Sequence, residues 1–231
     1  MIFLEGTQEG NDMDTPWLQN IKNTHQLSVF PGNSLSGSWS KVFSDALTEF
    51  NRLSNASGLG VTLTRGSSPP TPSFTGANVQ FEATNSTMTF QSFAGQVTVP
   101  IAATGTSGKT ISVGSPSRGG RLGQSFICVP LAPQVLAPGG KVREAGDPIK
   151  LVIAVHELLH ACGLDRHTSF KDPDLFIQVL SDIPDTDPNK DLEDIGSGKR
   201  VPPLFLSVET VARMQFLWLL PSPVIHFPRT F

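Results

Sequence analysis

The apolar positions of this chain follow two periodicities. Between residues 39 and 53 they are Trp39, Val42, Phe43, Ala46, Leu47, Phe50 and Leu53, spaced by steps of three and one. Such steps line one face of an amphipathic helix. Ser38 stands where a helix cap belongs, and Gly58 lies just past the end. The next apolar runs are shorter and nearer to alternation. Val61 to Thr64 and Ala77 to Ala83 read as strands on either side of a Ser/Pro-rich loop at 67–73. Phe90 to Ile101 contains a third strand, and Thr110 to Val113 reads as a fourth. Gly123 to Pro130 (GQSFICVP) is an apolar run that suits a further strand, and its terminal proline points to a sheet edge.

The helical period returns at Asp147-Pro148, an N-cap acid followed by proline at the first helical position. The helix from Ile149 to Cys162 is apolar on nearly every side, which predicts burial, and Gly163 can stop it. Ser207 caps a last helix, Val208 to Leu219. Residues 1–37 read as an N-terminal arm with one short helix around Trp17 to Asn23, and 168–206 read as irregular. With no internal repeat and no linker, residues 38–231 form a single domain, its upper part ending at 163 and its lower part covering 164–231. This order of elements predicts an α/β fold built on a twisted, mainly parallel sheet.

Composition narrows the function classes. A net charge of −3 gives no basic field for nucleic acid or an anionic membrane. No stretch approaches the roughly 20 apolar residues that span a bilayer. Met1 to Gly10 lacks a basic segment followed by an apolar one, so no signal peptide is expected and the cytoplasm is the default location. Hydrophobic residues at 38% and charged residues at 16% do not describe a disordered chain. The two cysteines, Cys128 and Cys162, are too few for a disulfide framework, and whether they bond is open. A monomer is expected.

The chemistry concentrates in His156-Glu157-Leu158-Leu159-His160, an HExxH segment on the buried helix. Positions four apart share a helix face, so both imidazoles can reach one cation. Glu157, beside the first of them, is placed to act as general base on a bound water whose pKa the cation lowers to about 7. A turn at Gly163 can return His167 to the same cation, with Asp165 and the remote His226 as substitutes. Three of the 5 histidines thus fall between residues 156 and 167. Cys128 opens a deformylase-like alternative in which a strand thiolate completes the ligand set. Cys162 points elsewhere on the helix and reads as packing or as a partner for Cys128. A third reading is a binding or structural protein in which zinc only staples the fold. The acidic run Asp182 to Asp194 could hold a structural calcium ion, although it lacks the glycine and terminal glutamate of an EF-hand loop.

The segment HELLHACGLDRH resembles the metzincin signature HExxHxxGxxH. The resemblance covers about residues 36–220, and LSVETVARMQFLW (Leu206 to Trp218) is similar to the segment that opens the last helix of matrixin-like members. It implies a zincin/metzincin-like fold with an antiparallel edge strand, zinc held by three histidines, and hydrolysis of a protein or peptide substrate bound in extended form. Gly123 to Pro130 is then the candidate strand for holding that substrate. Two features depart from the family pattern. The third histidine comes one residue late, with Arg166 at the family's ligand position, and no Met-turn is recognisable. Met214 falls in the last helix, which leaves Leu175, Phe176 or Ile177 to supply the hydrophobic floor. The chain has no tyrosine, so transition-state stabilisation would rest on zinc, Glu157 and backbone groups.

Overall fold

A computed structural model describes residues 14–102, 108–115, 117, 119–136, 142–168 and 204–218. Its main sheet has five strands in the order β2-β1-β3-β7-β6. These are β1 (Gln26–Pro31), β2 (Thr62–Arg65), β3 (Val79–Thr84), β6 (Lys109–Gly114) and β7 (Leu122–Pro130). All neighbours are parallel except β6, which runs antiparallel to β7 at one edge. Two hairpins complete the strands: β4 (Met88–Ser92) with β5 (Gly95–Val99), and β8 (Gln134–Leu136) with β9 (Val142–Glu144). Four helices are present among the described residues: α1 (Gln19–Lys22), α2 (Ser38–Ala56), α3 (Asp147–Ala161) and α4 (Val208–Trp218). The fold is therefore α/β, with a mixed, mostly parallel sheet. Among the described residues no helix is long and apolar enough to cross a membrane.

Sequence pattern explains most of this. All seven apolar positions read from Trp39 to Leu53 are buried along α2. They pack with α3 on one face of the sheet, against Leu27, Val29, Val79, Phe81, Ile127 and Val129. The β4–β5 hairpin covers part of the other face, where Phe90, Val99 and Val113 meet Phe126 and Cys128 of β7. Phe90 stacks on Phe126 with ring centroids 4.7 Å apart. Alternate residues of β7 thus enter two different cores.

Several expectations change. The run at 123–130 is not an edge: β7 pairs with β3 on one side and β6 on the other, and every residue in it is buried. An unbroken apolar run is what a strand covered on both faces requires, and Pro130 is tolerated because it lies at the last ladder position, opposite Thr84. The edge is β6. Residues 26–31, expected within an irregular arm, form β1 near the middle of the sheet, with Leu27 and Val29 fully buried. The strand expected within Phe90 to Ile101 is present as β5, and the same stretch also holds the last three residues of β4, its hairpin partner.

The starts of α2 and α3 shift by one residue. Gly37 is the N-cap of α2, so Ser38 lies inside the helix, where its hydroxyl accepts a hydrogen bond from Lys150 Nζ at 2.9 Å. Gly146 precedes α3, and Asp147 is its first residue, still favourable to the positive end of the helix dipole. The segment at 171–203, including Leu175 to Ile177 and the acidic run, lies outside the described residues, as do Leu219 and His226.

Candidate metal centre

Helix α3 is buried along almost its whole length, from Ile149 to Ala161. His156 and His160, one helical turn apart, project from the same side. Cys162 and Gly163 end the helix, and Gly163 reverses the chain with φ at +106°. The return brings His167 back over α3. The three rings form a nearly equilateral group, each pair with centroids 5.0 Å apart. Their ligand atoms all lie within 4.8 Å of one another.

Donor geometry fits a small cation. Two imidazoles at about 2.1 Å from a tetrahedral zinc stand roughly 3.4 Å apart. His156 Nε2 and His167 Nε2 are 3.0 Å apart. His160 Nδ1 lies 2.8 Å from the Leu164 carbonyl oxygen, which can only accept. That contact places the proton on Nδ1 and the lone pair on Nε2, as ligating histidines require. Burial, with His167 alongside, pushes the His160 pKa down to about 3. Burial and the Arg213 charge bring His167 to about 4. Both rings are thus neutral, and able to bind metal, at any ordinary pH.

Glu157 completes the group. It is fully buried, and Thr110 of β6 donates its hydroxyl to Oε2 at 2.6 Å. Among the described residues Oε1 has no hydrogen-bond partner. A buried carboxylate oxygen left in that state is costly unless a ligand or solvent meets it. Burial raises the Glu157 pKa to about 8, against the opposite pull of Thr110 and Lys109. Gly108 leaves room for this carboxylate, since a Cβ there would stand 2.6 Å from Glu157 Cγ.

Arg166 immediately precedes His167. Its side chain is exposed, while its carbonyl accepts from Arg213 Nη2 at 2.7 Å. The backbone N–H of Asp165 donates to Asp14 Oδ1 at 3.0 Å, and Asp165 does not join the three-histidine group. Asp14 in turn holds Arg213 in a two-pronged ion pair, at 2.6 and 2.7 Å. Two indoles finish the end of α3: Trp17 donates to the Ala161 carbonyl at 3.0 Å, and Trp218 to the Cys162 carbonyl at 3.1 Å.

The cysteines stand apart from this chemistry. Both are free and buried, Cys128 under the β4–β5 hairpin and Cys162 in the core around α3, so they do not bond. Burial raises both thiols well above their usual range. Among the described residues Cys128 is not one of the clustered donors. Met214 is fully buried in the core that contains α3.

Sequence reasoning identified His156, Glu157, His160 and His167. It missed Thr110, Gly108, Asp14 and Arg213, which reach the site from distant parts of the chain. No protein-family model matches the sequence, and no curated protein matches it closely enough to indicate kinship.

Proposed function

We propose that the chain is a zinc-dependent endopeptidase of the metzincin type, with His156, His160 and His167 holding the cation and Glu157 as general base. One observation carries the reading: three clustered imidazoles beside a buried carboxylate oxygen that lacks a partner among the described residues. Three protein ligands are the mark of catalytic zinc, which keeps a position open, whereas structural sites are more often closed by four. When bound, zinc would supply the Lewis acidity that makes water nucleophilic near neutral pH. Glu157 would accept the proton of the attacking water at Oε1 and return it to the leaving amine. Its raised pKa suits both halves of that transfer, and a neighbouring cation would draw it from about 8 toward neutrality.

The sheet supports a place for the substrate. An extended peptide can add a strand to a sheet edge, gaining backbone hydrogen bonds there. Among the described residues the edge nearest Glu157 is β6, whose Thr110 bonds that carboxylate directly. A peptide along β6 would pass its backbone beside the three histidines. Strand β7 is excluded from this role by its two paired sides.

Zinc content measured together with cleavage of a peptide library, with and without a chelator, tests the proposal. Glu157→Ala should keep one zinc per chain and lose hydrolysis. A wild-type chain that binds zinc yet cleaves nothing would instead assign the metal to holding the fold.

A further inference from the structure

The loop that carries His167 has no secondary structure of its own. Residues 164–168 leave α3 through Gly163 and are held by groups that come from elsewhere. Asp14 lies before α1 and Arg213 lies in α4, 199 positions apart in sequence. The Asp14 carboxylate accepts from Arg213 through both Nε and Nη2. The same carboxylate accepts the backbone N–H of Asp165, and the same guanidinium donates to the carbonyl of Arg166. The two residues just before His167 are therefore each gripped at a backbone atom by one member of a single ion pair. Thr168, just after it, donates its hydroxyl to Glu209 of α4 at 3.2 Å.

We infer that Asp14 and Arg213 are positioning residues for the third metal ligand: their ion pair fixes the backbone at 165–166 so that His167 meets His156 and His160. The inference rests on the reading of His167 as a ligand. Its physical basis is that a ligand on a loop binds a cation only as well as the loop is ordered, because the ordering entropy is otherwise lost on binding. Partners behind a ligand commonly change metal affinity by 10–100-fold when removed. The pair is about four-fifths buried on both sides, with side-chain exposures of 19% and 22%, so solvent screens it less than a surface pair. Arginine is suited to the task, because its planar fork can serve the carboxylate and the Arg166 carbonyl together.

The test is a zinc affinity series on the full chain, by competition with a chromophoric chelator, for Asp14→Ala, Arg213→Ala, the gentler Asp14→Asn and Arg213→Lys, and His167→Ala. Circular dichroism of each metal-free variant shows whether it is folded. Asp14→Ala and Arg213→Ala should each weaken zinc binding by about 10–100-fold. Arg213→Lys, which keeps the charge and loses the fork, should weaken it too. The decisive comparison places Asp14→Ala in the His167→Ala background, where it should have no further effect. If His167→Ala weakens zinc and the Asp14 and Arg213 variants do not, the positioning role is wrong and the ligand reading stands. If Asp14→Ala weakens zinc equally with and without His167, the pair acts on the fold at large and the inference fails. If His167→Ala leaves zinc affinity unchanged, the ligand reading itself is wrong.

Discussion

Gly163→Ala probes the turn on which the three-histidine group depends. Two penalties add at this position. An alanine at φ +106° lies outside the right-handed and extended regions, which costs about 1–2 kcal/mol. The added Cβ would also be driven into the Thr15 carbonyl oxygen. Thr15 cannot simply retreat, because its N–H donates to the Gly163 carbonyl at 2.9 Å. Losing that hydrogen bond removes about 1 kcal/mol more. Alanine recovers about 0.4–1 kcal/mol by stiffening the unfolded chain. The net loss is roughly 2 kcal/mol, or about 4–8 °C in Tm for a chain of this length. Gly58 supplies the control, with φ at +63° and nothing within 4 Å of an added Cβ. Gly58→Ala should lose only the backbone part, less than roughly 1 kcal/mol after the same offset. Urea unfolding of the chelator-treated proteins measures both. Equal losses at the two glycines, or a loss below about 0.5 kcal/mol at Gly163, would refute the packing argument. Zinc affinity should fall for Gly163→Ala alone.

Four further outcomes are expected. Thr110→Val removes a hydrogen bond that holds the Glu157 pKa down, so the acid limb of a cleavage profile should move to higher pH while zinc content is unchanged; an unmoved limb would disconnect Thr110 from the base. In the metal-free chain the lowered His160 and His167 values mean that the unfolded state binds more protons below pH 6.5, so stability falls as pH drops from there toward 4 and 3. Glu157 acts in the opposite sense: its raised value gives stability that is full below 4.5 and lost as pH rises through about 8, so Glu157→Gln should remove this falling contribution between those two values from a plot of urea midpoint against pH. Cys128→Ala should leave zinc content intact, since this thiol lies in the core under the hairpin; loss of metal would restore the cysteine-completed site.

What the sequence disclosed is what local spacing can encode. The helices α2, α3 and α4 announce themselves through a 3.6-residue period and their end signals, and His156 and His160 could be paired because positions four apart share one face of a helix. Strand β1 was hidden because only Leu27 and Val29 mark its inward side, in a run of six residues among polar neighbours. A single alternation of that length does not separate strand from loop. Strand β7 was visible as a strand and misplaced in the sheet, because an apolar run states that both faces are covered and says nothing of which edges are paired. Thr110, Asp14 and Arg213 carry no motif at all. Their roles arise from strand register and helix packing across 47 to 199 positions, and a lone Trp17 in a polar segment was the one local hint that the chain near Asp14 is anchored.

The two indoles at the end of α3 also set an order of events during synthesis. Trp17 reaches the Ala161 carbonyl across 144 positions, and Trp218 reaches back 56 positions to the Cys162 carbonyl. The earlier tie can form once residue 161 has left the ribosome, but the later one waits for α4, as does the grip of Arg213 on Arg166. Contacts of such long range close slowly and late. A nascent chain therefore carries His156, Glu157 and His160 on a helix whose end is half finished, and His167 on a loop not yet tied. The three-histidine group is tied in place only once α4 has been made.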